Sequence, residues 1–94
     1  DPLPRAVMEA MAVGIAVVAY ENGGVPEMVI NSETGLLCQP GDVEGLTRAI
    51  LELAGDESLR SSLGDAGQRR ATELFRVEHH VVQMEKVFRE TLSP

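Results

Sequence analysis

The run Ile15-Ala16-Val17-Val18-Ala19-Tyr20 constrains this chain most. A strand with one wet face alternates apolar and polar residues. This run does not alternate, and three of its six residues are β-branched. It therefore reads as a strand covered on both faces, the pattern of a parallel sheet. Parallel strands need crossover segments between them, so helices must flank the sheet. The stretch from residue 14 to residue 20 is the longest apolar one and is far too short to span a bilayer. No charged start leads into a longer apolar run, so no signal peptide is expected.

The segments around this strand carry their own punctuation. Each proline in Asp1-Pro2-Leu3-Pro4 biases its predecessor toward extended geometry, so a loop is expected there. Pro4 suits the first turn of a helix over residues 5–13, apolar almost all round through Ala6, Val7, Met8, Ala10, Met11 and Ala12, and therefore buried. Glu9 is its one acid, and Gly14 is placed to end it. After the strand, Glu21-Asn22-Gly23-Gly24 reads as a turn, and a short helix starts near Pro26. Asn31-Ser32-Glu33-Thr34-Gly35 reads as a second turn, and Leu36-Leu37-Cys38 as a short strand stopped by Pro40-Gly41.

Three helices are expected to follow. Asp42 is placed to cap the first, with Val43, Leu46, Ile50 and Leu53 on one face and Gly55 as the stop. Asp56 is placed to cap the second, whose apolar positions are Leu59, Leu63, Ala66, Ala71 and Leu74. Gly64 and Gly67 each weaken it by about 1 kcal/mol relative to Ala. The third covers residues 77–92, with Val77, Val81, Met84, Val87, Phe88 and Leu92 toward the core. The expected class is α/β: a partial, Rossmann-like parallel sheet with flanking helices and three helices at its C-terminal end. Two short strands make no stable sheet alone, so the chain either belongs to a larger sheet or completes one with a second copy.

Composition narrows the partners. Trp is absent, Tyr20, Phe75 and Phe88 are the only aromatics, and 44% of residues are hydrophobic, so aliphatic side chains must form the core. The formal charge of −7, with eight Lys and Arg against fifteen Asp and Glu, argues against a nucleic-acid groove and against a strongly anionic membrane surface. The single cysteine, Cys38, can form no intramolecular disulfide and reads as a small buried hydrophobe, in keeping with a reducing, cytoplasmic setting.

Possible chemistry concentrates at the N-terminal end. Asp1 lies before the first helix and Glu9 about two turns into it. The helix start between them, at Leu3, Pro4, Arg5 and Ala6, offers backbone N–H groups and a positive dipole end suited to phosphate. Carboxylates on the same rim can accept hydrogen bonds from sugar hydroxyls. Phosphate and hydroxyl recognition together describe a nucleotide-sugar site, although two acids at this spacing also occur by chance. Other candidates carry less. Gly23-Gly24 fits a tight strand-to-helix connection and is no dinucleotide fingerprint. Glu27 supports the start of its helix. His79-His80 are helix neighbours pointing apart, whereas a helical metal pair needs i, i+4 spacing. Ser61, Ser62 and Ser93 have no His–Asp companions.

Several of these runs stand together in an order typical of one family. Asp1-Pro2-Leu3-Pro4-Arg5-Ala6-Val7-Met8-Glu9-Ala10-Met11-Ala12-Val13-Gly14 is followed by the buried strand, by Gly23-Gly24-Val25-Pro26-Glu27, by Glu33-Thr34-Gly35-Leu36-Leu37 and by Pro40-Gly41-Asp42. The chain thereby resembles the second half of the C-terminal, nucleotide-sugar-binding domain of retaining GT-B glycosyltransferases. Residues 1–42 match as a donor-site region and residues 43–94 as a helical C-terminal segment.

The resemblance implies that Glu9 bonds the nucleotide ribose, that Asp1 lies near the donor sugar's hydroxyls, and that the backbone from Leu3 to Ala6 meets the sugar or diphosphate. It implies a UDP-, GDP- or ADP-sugar donor and transfer of a hexosyl group, with retention and without metal or other cofactor, to a glycan, lipid or small-molecule acceptor. The enzyme would be cytoplasmic, with peripheral membrane association of the full protein left open. A missing N-terminal domain would complete the site, so the 94-residue chain is expected to be inactive alone. Two departures from the pattern stand out: Asp1 stands where Glu is usual, and Leu3-Pro4 where Phe-Gly is typical. Two alternatives stay open: a non-catalytic interaction module that pairs with a second copy, and a sugar-nucleotide epimerase of the same fold.

Overall fold

The computed structural model of the chain describes the backbone of residues 2–92 and the side chains of residues 3–76. Six elements follow in order: α1 (Pro2–Ala12), β1 (Val18–Tyr20), α2 (Val25–Met28), β2 (Leu36–Cys38), α3 (Val43–Ala54) and α4 (Glu57–Leu92). The two strands pair in parallel, with Val18, Ala19 and Tyr20 opposite Leu36, Leu37 and Cys38. The mixed α/β class with a small parallel sheet is the one expected. The core gathers Val7 and Met11 of α1, Val17, Val25 and Met28 of α2, Val29, and Ala71 of α4.

The helix signals were mostly local and correct. Gly14 adopts φ +80. Its N–H donates to the Met11 carbonyl and the Ile15 N–H to the Ala10 carbonyl, both at 3.0 Å. This pair of bonds is the Schellman closure of α1, which requires a left-handed residue and therefore favours glycine. Asp42 caps α3 by accepting from Gly45 N–H at 2.9 Å, and Gly55 closes that helix. Asp56 accepts from Leu59 N–H at 2.9 Å at the start of α4.

Five expectations need correction. First, α1 begins at Pro2, so the prolines lie inside its opening turn. The first residues of a helix donate no intrahelical bond, so both prolines fit there without loss. Second, the long apolar run contributes only Val18–Tyr20 to the ladder, and Ile15 is 57% exposed. Third, the buried side of α3 is Ala49 and Leu53, while Val43 and Ile50 are exposed. Fourth, no break precedes residue 77: one helix of 36 residues replaces two, so two helices stand where three were expected. The positions from Val77 to Leu92 predicted to face the core lie outside the described side chains, as do His79 and His80. Fifth, Cys38 is half-buried rather than buried.

The long helix α4 organises the rest. Leu63, Gly64, Gly67 and Ala71 form its buried face. A methyl group at Gly64 would overlap the Gly14 carbonyl, and one at Gly67 would lie 3.2 Å from the Thr34 carbonyl oxygen. The two glycines, which weaken an isolated helix, are therefore where α4 closes onto the backbone beneath it. Three of its long side chains reach the C-terminal carbonyls of the other helices. Arg60 donates to the Leu53 and Ala54 carbonyls of α3, at 2.6 and 2.9 Å. Gln68 donates to Ala12 of α1 at 3.2 Å. Arg70 donates to Glu27 and Met28 of α2 at 2.7 and 2.5 Å. Carbonyls at helix C-termini lack intrahelical partners and carry partial negative charge, so a cation there satisfies both needs.

Candidate functional site

A groove of about 420 Å³ runs beside the first turns of α1. Its lining is Pro4, Arg5, Met8, Glu9, Ala12, Met28 and Phe75. Five of these residues belong to α1 at positions 4, 5, 8, 9 and 12, a spacing that puts them along one face of the helix. The face has two characters. Arg5 and Glu9 are exposed and ionic, one turn apart at the rim, while Met8, Ala12 and Phe75 continue as an apolar floor. Met8, Ala12, Ala71, Thr72 and Phe75 extend this floor into an adjoining hollow of about 300 Å³ between α1 and α4.

The residues proposed from sequence separate here. Pro4, Arg5 and Glu9 line the groove together. Leu3, 46% exposed, and Ala6 lie on the same turns outside that lining. Asp1 lies outside the described residues. Of the four residues that open α1, Pro2 and Pro4 have no N–H, so only Leu3 and Arg5 bring backbone donors to this end. The charged side chain of Arg5 adds a cation where the backbone offers fewer donors than usual.

The second motif converges on the first. Pro4 faces the Gly23-Gly24 turn, and a methyl group at Gly24 would meet its ring at 3.9 Å, an ordinary distance. Of the two glycines only Gly23 has a positive φ, +50, while Gly24 caps α2 with ordinary helical angles. Glu27 lies in the first turn of α2, as expected, and Met28 brings that helix to the groove wall.

The turn from Asn31 to Gly35 is more ordered than its composition suggested. Thr34 is buried, and its hydroxyl accepts from Ile30 N–H at 2.8 Å. Asn31 Oδ1 accepts from Leu37 N–H at 2.9 Å, and Ser32 holds φ 67. These bonds fix the crossover that returns the chain from α2 to β2. Met28 and Phe75 line the groove from α2 and α4, and Arg70 holds α2 without lining it, so spacing along the sequence marks none of the three as a site residue.

Among the described residues no group of three or more His, Cys, Asp or Glu is placed to hold a metal ion. Among them also, no helix is long and apolar enough to cross a membrane.

Known proteins resemble this chain in sequence and fold. The model of the family Glycosyl transferases group 1 matches residues 1–70. An N-acetyl-alpha-D-glucosaminyl L-malate synthase of Bacillus anthracis is 34% identical over 86 residues, covering 92% of this chain and 23% of that protein. An exopolysaccharide phosphotransferase of Streptomyces coelicolor is 38% identical over 94 residues, covering 99% of this chain and 10% of that protein. The solved structure of a sucrose-phosphate synthase from Thermosynechococcus elongatus matches with a TM-score of 0.76 at 37% identity, over 93% of this chain and 22% of that one. The chain thus spans less than a quarter of the length of each of these proteins.

Proposed function

The chain belongs to the group 1 glycosyl transferases, as part of the C-terminal region of their GT-B fold, and from that premise we propose that its groove is one wall of a nucleotide-sugar donor site. In this reading the diphosphate lies at the N-terminal end of α1, near Arg5 and the positive end of the helix dipole. Glu9, one turn further on, accepts hydrogen bonds from the ribose hydroxyls, and Asp1 lies toward the sugar. Met8 and Ala12 supply an apolar surface along the same face. The reaction is transfer of the sugar with retention, completed by parts of the enzyme that supply the acceptor. The 94-residue chain alone holds donor without turning it over.

One observation carries the reading: Arg5 and Glu9, of opposite charge and one helical turn apart, line a single groove at the start of α1. A phosphate needs the cation and a diol needs the carboxylate, so this pair matches both ends of a nucleoside diphosphate. The three similar proteins are named for different reactions, so likeness to them does not specify an acceptor.

The test is a titration of the isotope-labelled chain with UDP, GDP and ADP, followed by NMR and repeated on Glu9→Gln. Shifts confined to residues 3–9, and lost in Glu9→Gln, support the donor site and rank the bases. A folded chain that shows no shift with any of the three would refute it, and would favour an interaction module instead.

A further inference from the structure

The helix α2 has only four residues, too few to be stable by itself. Its position must come from its surroundings. Val25 and Met28 are buried, which anchors one side. The Val25 carbonyl accepts from Val29 N–H at 2.9 Å, closing its one turn. The carbonyls of Glu27 and Met28 point instead to Arg70, whose Nη2 and Nε donate to them at 2.7 and 2.5 Å. Arg70 is half-buried on α4, more than forty positions along the chain. It therefore determines where α2 ends, and α2 carries Met28 into the groove that also holds Glu9 and Arg5.

We propose that Arg70 is a positioning residue for the donor groove, an inference that rests on the donor-site reading above. It is not among the residues that line the groove. It acts through Met28, by holding two adjacent carbonyls with one planar guanidinium. Lysine carries the same charge but presents it as a point, without the fork that spans two acceptors. Arg60 provides an internal comparison. It makes the same kind of bond, one nitrogen to the Leu53 and Ala54 carbonyls, at the end of α3, which contributes nothing to the groove lining.

The experiment uses the whole chain with its methionine methyls labelled, titrated with UDP, GDP and ADP as wild type, Arg70→Lys, Arg70→Gln and Arg60→Lys. Arg70→Lys is expected to weaken binding of the preferred nucleotide by about tenfold. It should also move the Met28 methyl resonance while leaving that of Met11, in the core, where it is. Arg60→Lys is expected to leave both nucleotide affinity and the Met28 resonance unchanged. A purely structural role predicts that both arginine variants behave alike. Wild-type affinity in Arg70→Lys and Arg70→Gln, or an equal loss in Arg60→Lys, would overturn the inference while the donor site stands. Failure of both Arg70 variants to fold would also overturn it, in favour of a structural role. A wild-type chain that binds none of the three nucleotides would remove the donor-site reading, and this inference with it.

Discussion

Gly64 of α4 lies against the carbonyl oxygen of Gly14, the left-handed residue that closes α1, with no room for a methyl group between them. The helix carrying the groove residues and the helix that braces it thus meet backbone to backbone. Only a residue without Cβ permits that approach at position 64.

Gly64→Ala separates two effects of opposite sign. On an exposed helix the change would stabilise by about 1 kcal/mol through propensity. Here the added methyl overlaps the Gly14 carbonyl, and overpacking of this kind costs about 1–3 kcal/mol. Net destabilisation is expected, read as a lower urea midpoint with an unchanged slope. A more stable variant would show that α4 does not sit this close to Gly14.

Thr34 supplies the only buried polar side chain among the described residues, and its hydroxyl satisfies the Ile30 N–H. Thr34→Val keeps the shape and leaves that donor without its partner, at a cost of about 1–3 kcal/mol. Thr34→Ser keeps the bond and is expected to lose less. Thermal unfolding gives the ranking, and faster amide exchange at Ile30 in the valine variant would assign the cause. Equal stability of the two variants would count against the bond.

Glu9 is exposed. Glu9→Gln should therefore change folding stability by less than about 0.5 kcal/mol. Its effect belongs on ligand binding, where a neutral amide replaces a charged acceptor, with an expected loss of about tenfold in nucleotide affinity. Calorimetric titration beside a melting curve tells the two apart. A large drop in melting temperature would place Glu9 in the fold and not in the site.

The caps of α3 and α4 are separable. Asp42→Ala and Asp56→Ala each remove one acceptor from a helix start and should each cost about 1 kcal/mol. The two sites sit at opposite ends of α3, which spans roughly 18 Å at 1.5 Å per residue. The double variant should accordingly sum the single losses to within about 0.5 kcal/mol. A deviation well beyond that would mean the α3–α4 junction unfolds as one unit.

The sequence by itself determined what depends on neighbours a few positions apart. Gly14, Asp42, Gly55 and Asp56 mark their helix ends because caps are made within four or five residues. The unbroken apolar run announced the parallel pairing of Val18–Tyr20, although these residues are only half-buried here and not covered on both faces. Glu9 and Arg5 were placed on the first helix by spacing alone. The tertiary structure decided the rest. Arg70 meets Met28 across 42 positions and Gln68 meets Ala12 across 56, distances at which periodicity carries no information. Packing also reversed the meaning of Gly64 and Gly67, which weaken an isolated helix yet allow α4 to lie on the backbone of its neighbours. Val43 and Ile50 followed the helical period but stayed exposed, because a repeat identifies an apolar face without supplying the surface that covers it.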